Sequence, residues 1–526
     1  GSGGLASNYQ LPTLNAANVP ISITPKTVSL AVAPKVYDAS TDMTGYVSIT
    51  TGVGGETLTY NGATSNDAHV ATAGKYLNAI TLGNASDGSG GLASNYQLPT
   101  LNAANALVTI NPKTLTLTLT NSGYSQVYDG DAAADITPAW SFNGFISGDT
   151  SATIAYTGRN YNTANVTTAN LITVSGLSIT SVAGGNSSAP EDYVLDSTTK
   201  TVNATITPKT VSLAVAPKVY DASTDMTGYV SITTGVGGET LTYNGATSND
   251  AHVATAGKYL NAITLGNASD GSGGLASNYQ LPTLNAANVP ISITPKTVSL
   301  AVAPKVYDAS TDMTGYVSIT TGVGGETLTY NGATSNDAHV ATAGKYLNAI
   351  TLGNASDGSG GLASNYQLPT LNAANALVTI NPKTLTLTLT NSGYSQVYDG
   401  DAAADITPAW SFNGFISGDT SALINYASKA YNDKDVAAAN LITISGLTID
   451  GITGGNNSAA TDYILDANTK TVAASITRAD LQIRANNDAK FVLQDDVAGY
   501  AGVSYSGFVG GETAADLAGT LSLIHI

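Results

Sequence analysis

Cysteine is absent from the 526-residue chain. That removes disulfide frameworks, thiol catalysis and Cys-ligated zinc, and it argues against a small disulfide-stapled ectodomain. Charge is scarce as well. Asp, Glu, Lys and Arg make up 11% of the residues, against about 25% in an ordinary domain. Bases are the scarcer sign, 19 against 37 acids, for a net charge of −18. A field of that sign repels phosphate backbones and anionic lipid. No basic run offsets it, so no nucleic-acid partner is expected. No apolar run reaches the ~20 residues of a spanning helix, so no membrane insertion is expected. No charged-then-apolar leader opens the chain. Gly1 lies inside a repeat, so that absence says nothing about compartment. Histidine occurs four times, and His69, His252 and His339 are one repeat position recurring. One histidine per repeat without cysteine builds neither a catalytic triad nor a zinc site. A surface or packing role is expected for these three. His525 sits in the odd terminal stretch Leu521–Ile526, from which no function is read.

What remains is rich in Thr, Ser, Asn and Gly, side chains that suit strands and turns better than helices. Self-similarity is the strongest signal. The marker I-[TN]-P-K-T-[VL]-[ST]-L begins at Ile23, Ile110, Ile206, Ile293 and Ile380, with a degenerate copy, ITRADLQI, at Ile476. The spacings of 87, 96, 87, 87 and 96 residues define two repeat types. A-type repeats are expected at 23–109, 206–292 and 293–379, and B-type repeats at 110–205 and 380–475. Residues 1–22 read as the tail of a further A-type repeat, and 476–526 as part of a different one. Units near 90 residues are too long for solenoid coils, which run about 20–50 residues. They are long enough for a sandwich with its own core.

The two B copies drift in their second halves. There Ile154, Tyr156, Leu171, Ile172, Gly176, Leu177, Tyr193 and Leu195 reappear as Ile424, Tyr426, Leu441, Ile442, Gly446, Leu447, Tyr463 and Leu465. This reads as a shared buried framework under a varying surface. Thr114–Thr120 (TLTLTLT) alternates with period two, and Thr27–Ala33 does so through Val28, Leu30 and Val32. Half-buried antiparallel strands carry that pattern. Val47–Thr51, Thr57–Tyr60, Tyr76–Leu82 and Leu171–Val174 are further strand candidates, separated by Gly/Asn/Asp/Ser clusters such as Asn84–Gly91. That cluster lacks the following Lys-Ser/Thr and helix of a phosphate loop. Asp131–Asp135 (DAAAD) has the composition of a single helical turn. The expected fold is all-β, a tandem array of β-sandwich-like modules of about ninety residues. Short joints with a Pro and no Gly/Ser linker make the array a linear, semi-rigid rod, beads in line. At roughly 40 Å each, five units would span about 200 Å.

Two short motifs recur. The first is a Gly-acid-Thr turn, Val53–Thr57 in A, Ile146–Thr150 in B and Val509–Thr513 in the last stretch. A structural reversal is preferred over an acidic ligand loop. The second is Val-Tyr-Asp-[Ala/Gly] at Val36, Val127, Val219, Val306 and Val397. With the marker in fixed register over five copies, this arrangement resembles the YDG repeat of bacterial filamentous-haemagglutinin-like exoproteins. The stretch Gly499–Leu523, with YSGFVGGETAADLAGTLSL, is similar to the MBG repeat often found beside it. The A copies depart from the pattern, with Ala where the Gly would stand, so a different turn is expected there.

The resemblance implies secretion through an outer-membrane partner, a place on the bacterial surface, and an adhesive or stalk role. It supplies no binding residues. The Tyr is expected to pack and the Asp to cap a turn. No catalytic, cofactor-binding or metal residue is assigned. Calcium is the one cofactor the composition leaves room for, at Asp129, Asp131 and Asp135 and at Asp399, Asp401 and Asp405. No EF-hand or nonapeptide spacing accompanies them, so no cofactor is expected. Tyr outnumbers Phe 28 to 6. Tyr60, Tyr76 and Tyr96 are placed at the rim of the core, with sugar stacking as the alternative. The competing functions are a stalk projecting a distal tip and a multivalent binder of host or biofilm surface glycans or proteins. An enzyme is not expected: a glycosidase needs a paired-carboxylate cleft, and no candidate pair lies outside turn loops.

Overall fold

In the computed structural model residues 5–487, 491–492, 494 and 502–518 are described. The terminal Leu521–Ile526, with His525, lies outside them. Among the described residues there is no α-helix, only single 3-10 turns such as Ala93–Asn95. None is long and apolar enough to cross a membrane. The fold is all-β, as a tandem series of sandwich-like repeats. The chain forms two compact units. The first comprises 1–215, 230–247 and 260–289, and the second 216–229, 248–259 and 290–526.

In the first unit the B-type repeat shows the architecture most fully. Strand Lys113–Leu119 pairs antiparallel with Trp140–Asn143 and parallel with Tyr193–Leu195. Its leucines 115, 117 and 119 are buried at 0%, 1% and 6% exposure while the intervening threonines face out. Each such leucine contributes roughly 1.5–3 kcal/mol of burial. A second sheet runs Tyr124–Val127, Thr199–Thr207, Leu171–Ser175, Gly158–Tyr161 in spatial order. Leu117 and Leu119 of the first sheet share one apolar cluster with Ile172, Val174, Val202 and Ile206 of the second. A bulged hairpin, Asp149–Ala155 with Ser178–Gly184, completes the repeat.

The A-type repeats are built from shorter ladders. In the first, Ser29–Val32 pairs antiparallel with Val47–Thr50, and Thr59–Ser65 with Leu77–Gly83 through two register shifts. The alternation expected over Thr27–Ala33 holds: Val28 is 2% exposed and Leu30 and Val32 are half-buried, while Ser29 and Ala31 face out. The same pairings recur in the second unit over 293–379, a stretch identical in sequence to 23–109.

The marker peptide is a strand that serves two repeats. Ile110–Asn111 pairs parallel with Lys35–Val36 of the repeat that is ending. Pro112 then interrupts the ladder, having no N–H to give, and Lys113 opens the first strand of the next repeat. The repeats are therefore not separate beads. The cluster holding Tyr37, Met43, Leu77 and Ile110 continues onto Leu115 and Tyr193 of the following repeat. Two smaller expectations fail. Asp131–Asp135 forms no helical turn, because Ala133 is bridged to Asn160 and the Asp135 N–H is taken by Gln126. Tyr156 and Tyr426 are not framework residues, being 37% and 38% exposed, unlike Ile154, Ile172 and Tyr193.

Leu117→Ala should lower the stability of the first B-type repeat by about 2–5 kcal/mol, through lost burial and a cavity. Thr116→Ala, on the outer face of the same strand, should stay within about 0.5 kcal/mol of wild type. Denaturant unfolding of the two variants checks the assignment of faces; equal losses would refute it.

Candidate functional site at the repeat junctions

The two recurring motifs meet where one repeat joins the next. Each Val-Tyr-Asp turn follows a short strand in which alternate side chains turn inward. In the first repeat Lys35 and Tyr37 are 2% and 1% exposed, while Val36 between them is 52% exposed. The Lys35 ammonium donates to the Ser40 carbonyl at 2.9 Å and the Asp42 carbonyl at 2.7 Å. It also pairs with Asp38 Oδ1 at 2.7 Å, so all three of its donors are used. Asp38 Oδ1 takes the Ser40 N–H as well, closing the turn. In B-type repeats Gln126 replaces the lysine. It donates to Asp129 Oδ2 at 2.8 Å and accepts the Asp135 N–H at 2.9 Å. The Asp of the motif is thus a turn residue in both types.

The Tyr of the motif points the other way, to the Gly-acid-Thr turn of the following repeat. Tyr128 OH donates to Glu239 Oε1 at 2.5 Å, and Tyr279 OH donates to Glu239 Oε2 at 2.7 Å. The rings of Tyr128 and Tyr279 meet edge to face, 5.4 Å between centroids. Tyr220 and Tyr366 hold the two oxygens of Glu326 in the same way, at 2.7 Å each. Where a B-type repeat follows, the acid is Asp149, one methylene shorter, and a serine fills the gap. Ser188 Oγ donates to Asp149 Oδ2 at 2.6 Å, so Tyr37 OH donates to Ser188 Oγ at 2.7 Å. Tyr193 OH donates to Asp149 Oδ2 at 2.6 Å. Tyr307, Ser458, Asp419 and Tyr463 repeat that arrangement. Tyr398 donates to Glu512 in the last stretch.

Burial, and secondly the Glu239 carboxylate, push the Tyr128 hydroxyl up to about 12 from its ordinary 10.0. Burial likewise raises Tyr220, Tyr279, Tyr366, Tyr193 and Tyr463, the carboxylate each hydroxyl faces adding to the effect. The acid turn is itself braced. Thr57 and Ser89 hold Asp87 at about 2, well below its usual range, which ties the glycine-rich segment Asn84–Gly91 to the turn.

The name-giving glycine has a steric reason in B. Gly130 lies at φ 101°, and a Cβ there would stand 2.6 Å from Val236 Cγ1 of the next repeat. Gly400, at φ 91°, lies equally close to Gly510. In A the turn does differ: Ala39, Ala222 and Ala309 sit at φ 60–64°, in the left-handed region that disfavours a side chain.

A second contact flanks the tyrosine at four of the five junctions. His69 Nδ1 lies 2.7 Å from Asp192 Oδ2, and the Val70 N–H donates to Asp192 Oδ1 at 2.7 Å. Asp192 is 0% exposed. His252, His339 and Asn165 occupy the matching position at the other junctions, so the histidines are packing residues of the interface. The acid turn together with the tyrosine of its own repeat, Glu239 with Tyr279 or Glu326 with Tyr366, forms the seat for the repeat before.

The acidic clusters serve turn N–H groups. Asp129 Oδ1 faces the Asp131 N–H and Asp131 Oδ1 the Ala133 N–H. Among the described residues no group of three or more His, Cys, Asp or Glu side chains could hold a metal. Tyr96 belongs to the seat, donating to Glu56 Oε2 at 2.5 Å. Tyr60 OH accepts the Gly45 and Val47 N–H groups. Tyr76 is half-buried beside Leu107, to which its backbone is bridged. Sequence reasoning missed the junction role of Glu239, Ser188, Asp192 and Asn365. The signal lay in the pairing of two motifs that each occur once per repeat.

Residues 111–201 and 381–473, within the two B-type repeats, match the YDG domain. No curated protein matches the chain. Among solved structures, the protocadherin GammaB4 extracellular domain is 10% identical, with a TM-score of 0.15, over 86% of this chain and 77% of that one. Drosophila N-cadherin EC1-4 is 8% identical, with a TM-score of 0.13, over 89% and 94%.

Two outcomes test this site. A phenol that keeps its proton when docked stabilises the junction fully below pH 10 and loses that contribution as pH rises through the docked value. Junction stability should therefore fall between about pH 10 and 12, the window set by Tyr128. Absorbance at 295 nm should show a late-titrating class of tyrosines, and a single step for all 28 near the ordinary value would contradict it. Ala39→Gly should stabilise its repeat by about 1 kcal/mol by relieving the left-handed turn. A destabilised variant in thermal melts would count against that turn.

Proposed function

We propose that the chain is a non-catalytic spacer, the repeat region of a secreted bacterial surface adhesin, in which docked repeats act as a stalk that projects a distal binding tip. One observation supports this most. The hydrogen bond from a motif tyrosine to the acid turn of the next repeat, direct or through a serine, recurs at each of the five described junctions. A module series that only displayed independent binding sites would not need its polar residues committed to neighbours. Of the tyrosines weighed for sugar stacking, Tyr96 gives its hydroxyl to Glu56 of the acid turn.

The two YDG-domain matches and the resemblance to filamentous-haemagglutinin-like exoproteins support an extracellular place, export through an outer-membrane partner, and an MBG-like reading of 476–526. The excess of acids supports the absence of a nucleic-acid partner.

Small-angle X-ray scattering of the full chain tests the reading. The expected particle is about 200 Å long, from five elongated repeats in line. Glu239→Ala with Glu326→Ala should shorten its mean length by letting two joints bend. A compact wild-type particle, or one indifferent to these substitutions, would remove the stalk. A glycan array should stay silent, whereas reproducible tyrosine-dependent binding would make the repeats themselves the binding modules.

A further inference from the structure

Four junctions share one arrangement beside the tyrosine. A backbone N–H of the leading repeat, from Val70, Val166, Val253 or Val340, donates to the side-chain oxygen of Asp192, Asn278, Asn365 or Asp462 on the following repeat. The distances are 2.7, 3.0, 2.9 and 2.7 Å. That bond orients the acid or amide. An Asn so held must turn its NH2 toward the residue before the valine, because its oxygen is already committed.

The polarity of the remaining contact is then fixed by the following repeat. Asn278 Nδ2 donates to Asn165 Oδ1 at 3.0 Å. Asn365 Nδ2 faces His252 Nδ1 at 2.9 Å, so that ring nitrogen accepts. Asp192 has no hydrogen to give. Its oxygens take the Val70 and Ala189 N–H groups, so the nitrogen that meets Oδ2, His69 Nδ1, donates. His339 meets Asp462 in the same way. The histidines stand in otherwise matching surroundings. Their own backbone N–H groups go to Asp67, Asp250 and Asp337, and Tyr37, Tyr220 and Tyr307 stack on the rings at 6.0–6.2 Å.

We propose that this pair of positions specifies which repeat can follow which. Asp on the following repeat selects a leading repeat that presents a donor; Asn selects one that presents an acceptor. Histidine serves both by moving its proton between ring nitrogens, so an A-type repeat can precede either type. The order in the chain fits: both B-type repeats, which carry the Asp, follow an A-type repeat. In the second B-type repeat the leading position is Asp435. A B-type successor would set that carboxylate against a buried one, an arrangement that like-charge repulsion and desolvation oppose. Asp192 and Asn365 are thus specificity residues of the interface, and His69 and His252, identical in sequence context, hold opposite tautomers.

The inference rests on the docked reading of the junctions, and its test is separable from scattering. Long-range 1H–15N spectra of the full chain labelled at histidine, assigned by single substitutions, should show Nδ1 protonated in His69 and His339. Nδ1 should be unprotonated in His252. Asn365→Asp should convert His252 to the other form. His69→Asp should speed exchange of the Val70 amide by about 100-fold, as a buried like-charge contact opens the junction. Adding Asp192→Asn should restore protection. One tautomer in all three histidines, or a His69→Asp chain that keeps its protection, would overturn the proposal while leaving the docking itself intact.

Discussion

A carboxylate drawn away from water is tolerated only where donors surround it, and at Glu239 and Glu326 the donors come from two successive repeats. Glu239 is held between Tyr128 of the repeat before and Tyr279 of its own. Asp149 is held between Tyr193 of its own repeat and Ser188, which in turn takes Tyr37 of the repeat before. Neither side satisfies Glu239 alone, whereas Asp149 takes Asn186, Ser188 and Tyr193 of its own repeat and Tyr37 reaches it through the serine. The polar requirement therefore couples neighbours more specifically than apolar contact would, because a misaligned joint leaves a buried charge short of a partner. The apolar clusters that run across the same joints supply area, and the hydrogen bonds supply register.

Much of the rest follows from serving that contact. The strand alternation that buries Leu115, Leu117 and Leu119 also carries Tyr37 inward after Val36. The parallel pairing of Ile110–Asn111 with Lys35–Val36 sets the turn against the start of the next repeat. Lys35 fixes the turn from below by spending its whole ammonium group on two carbonyls and Asp38. Gly130 leaves room for Val236, and Ala39 accepts a strained backbone where the geometry differs.

The repeat period, the all-β class and the inward leucines were legible in the sequence, because periodicity in a strand reports directly on which face meets the core. The turn role of the motif Asp was legible for a similar reason: an Asp closing on the N–H two residues ahead is a local event. The partner of the tyrosine was not. Tyr37 and Ser188 are 151 residues apart, and nothing in local spacing says that a packed phenol ends on a neighbour's acid. The acid turn looked complete in itself, since Gly at positive φ already explains a reversal. Tyr156 marks the other limit. It recurs as Tyr426 as a framework residue would, yet both are exposed, each standing one residue past the end of its strand.

The shared clusters carry a thermodynamic corollary. Residues 23–109 and 293–379 are the same sequence, and each builds one apolar cluster together with the B-type repeat that follows it. Free energy in such a series divides into an intrinsic part and a nearest-neighbour part. The resistance of any one copy to unfolding is therefore set by what is docked against it as well as by its own amino acids.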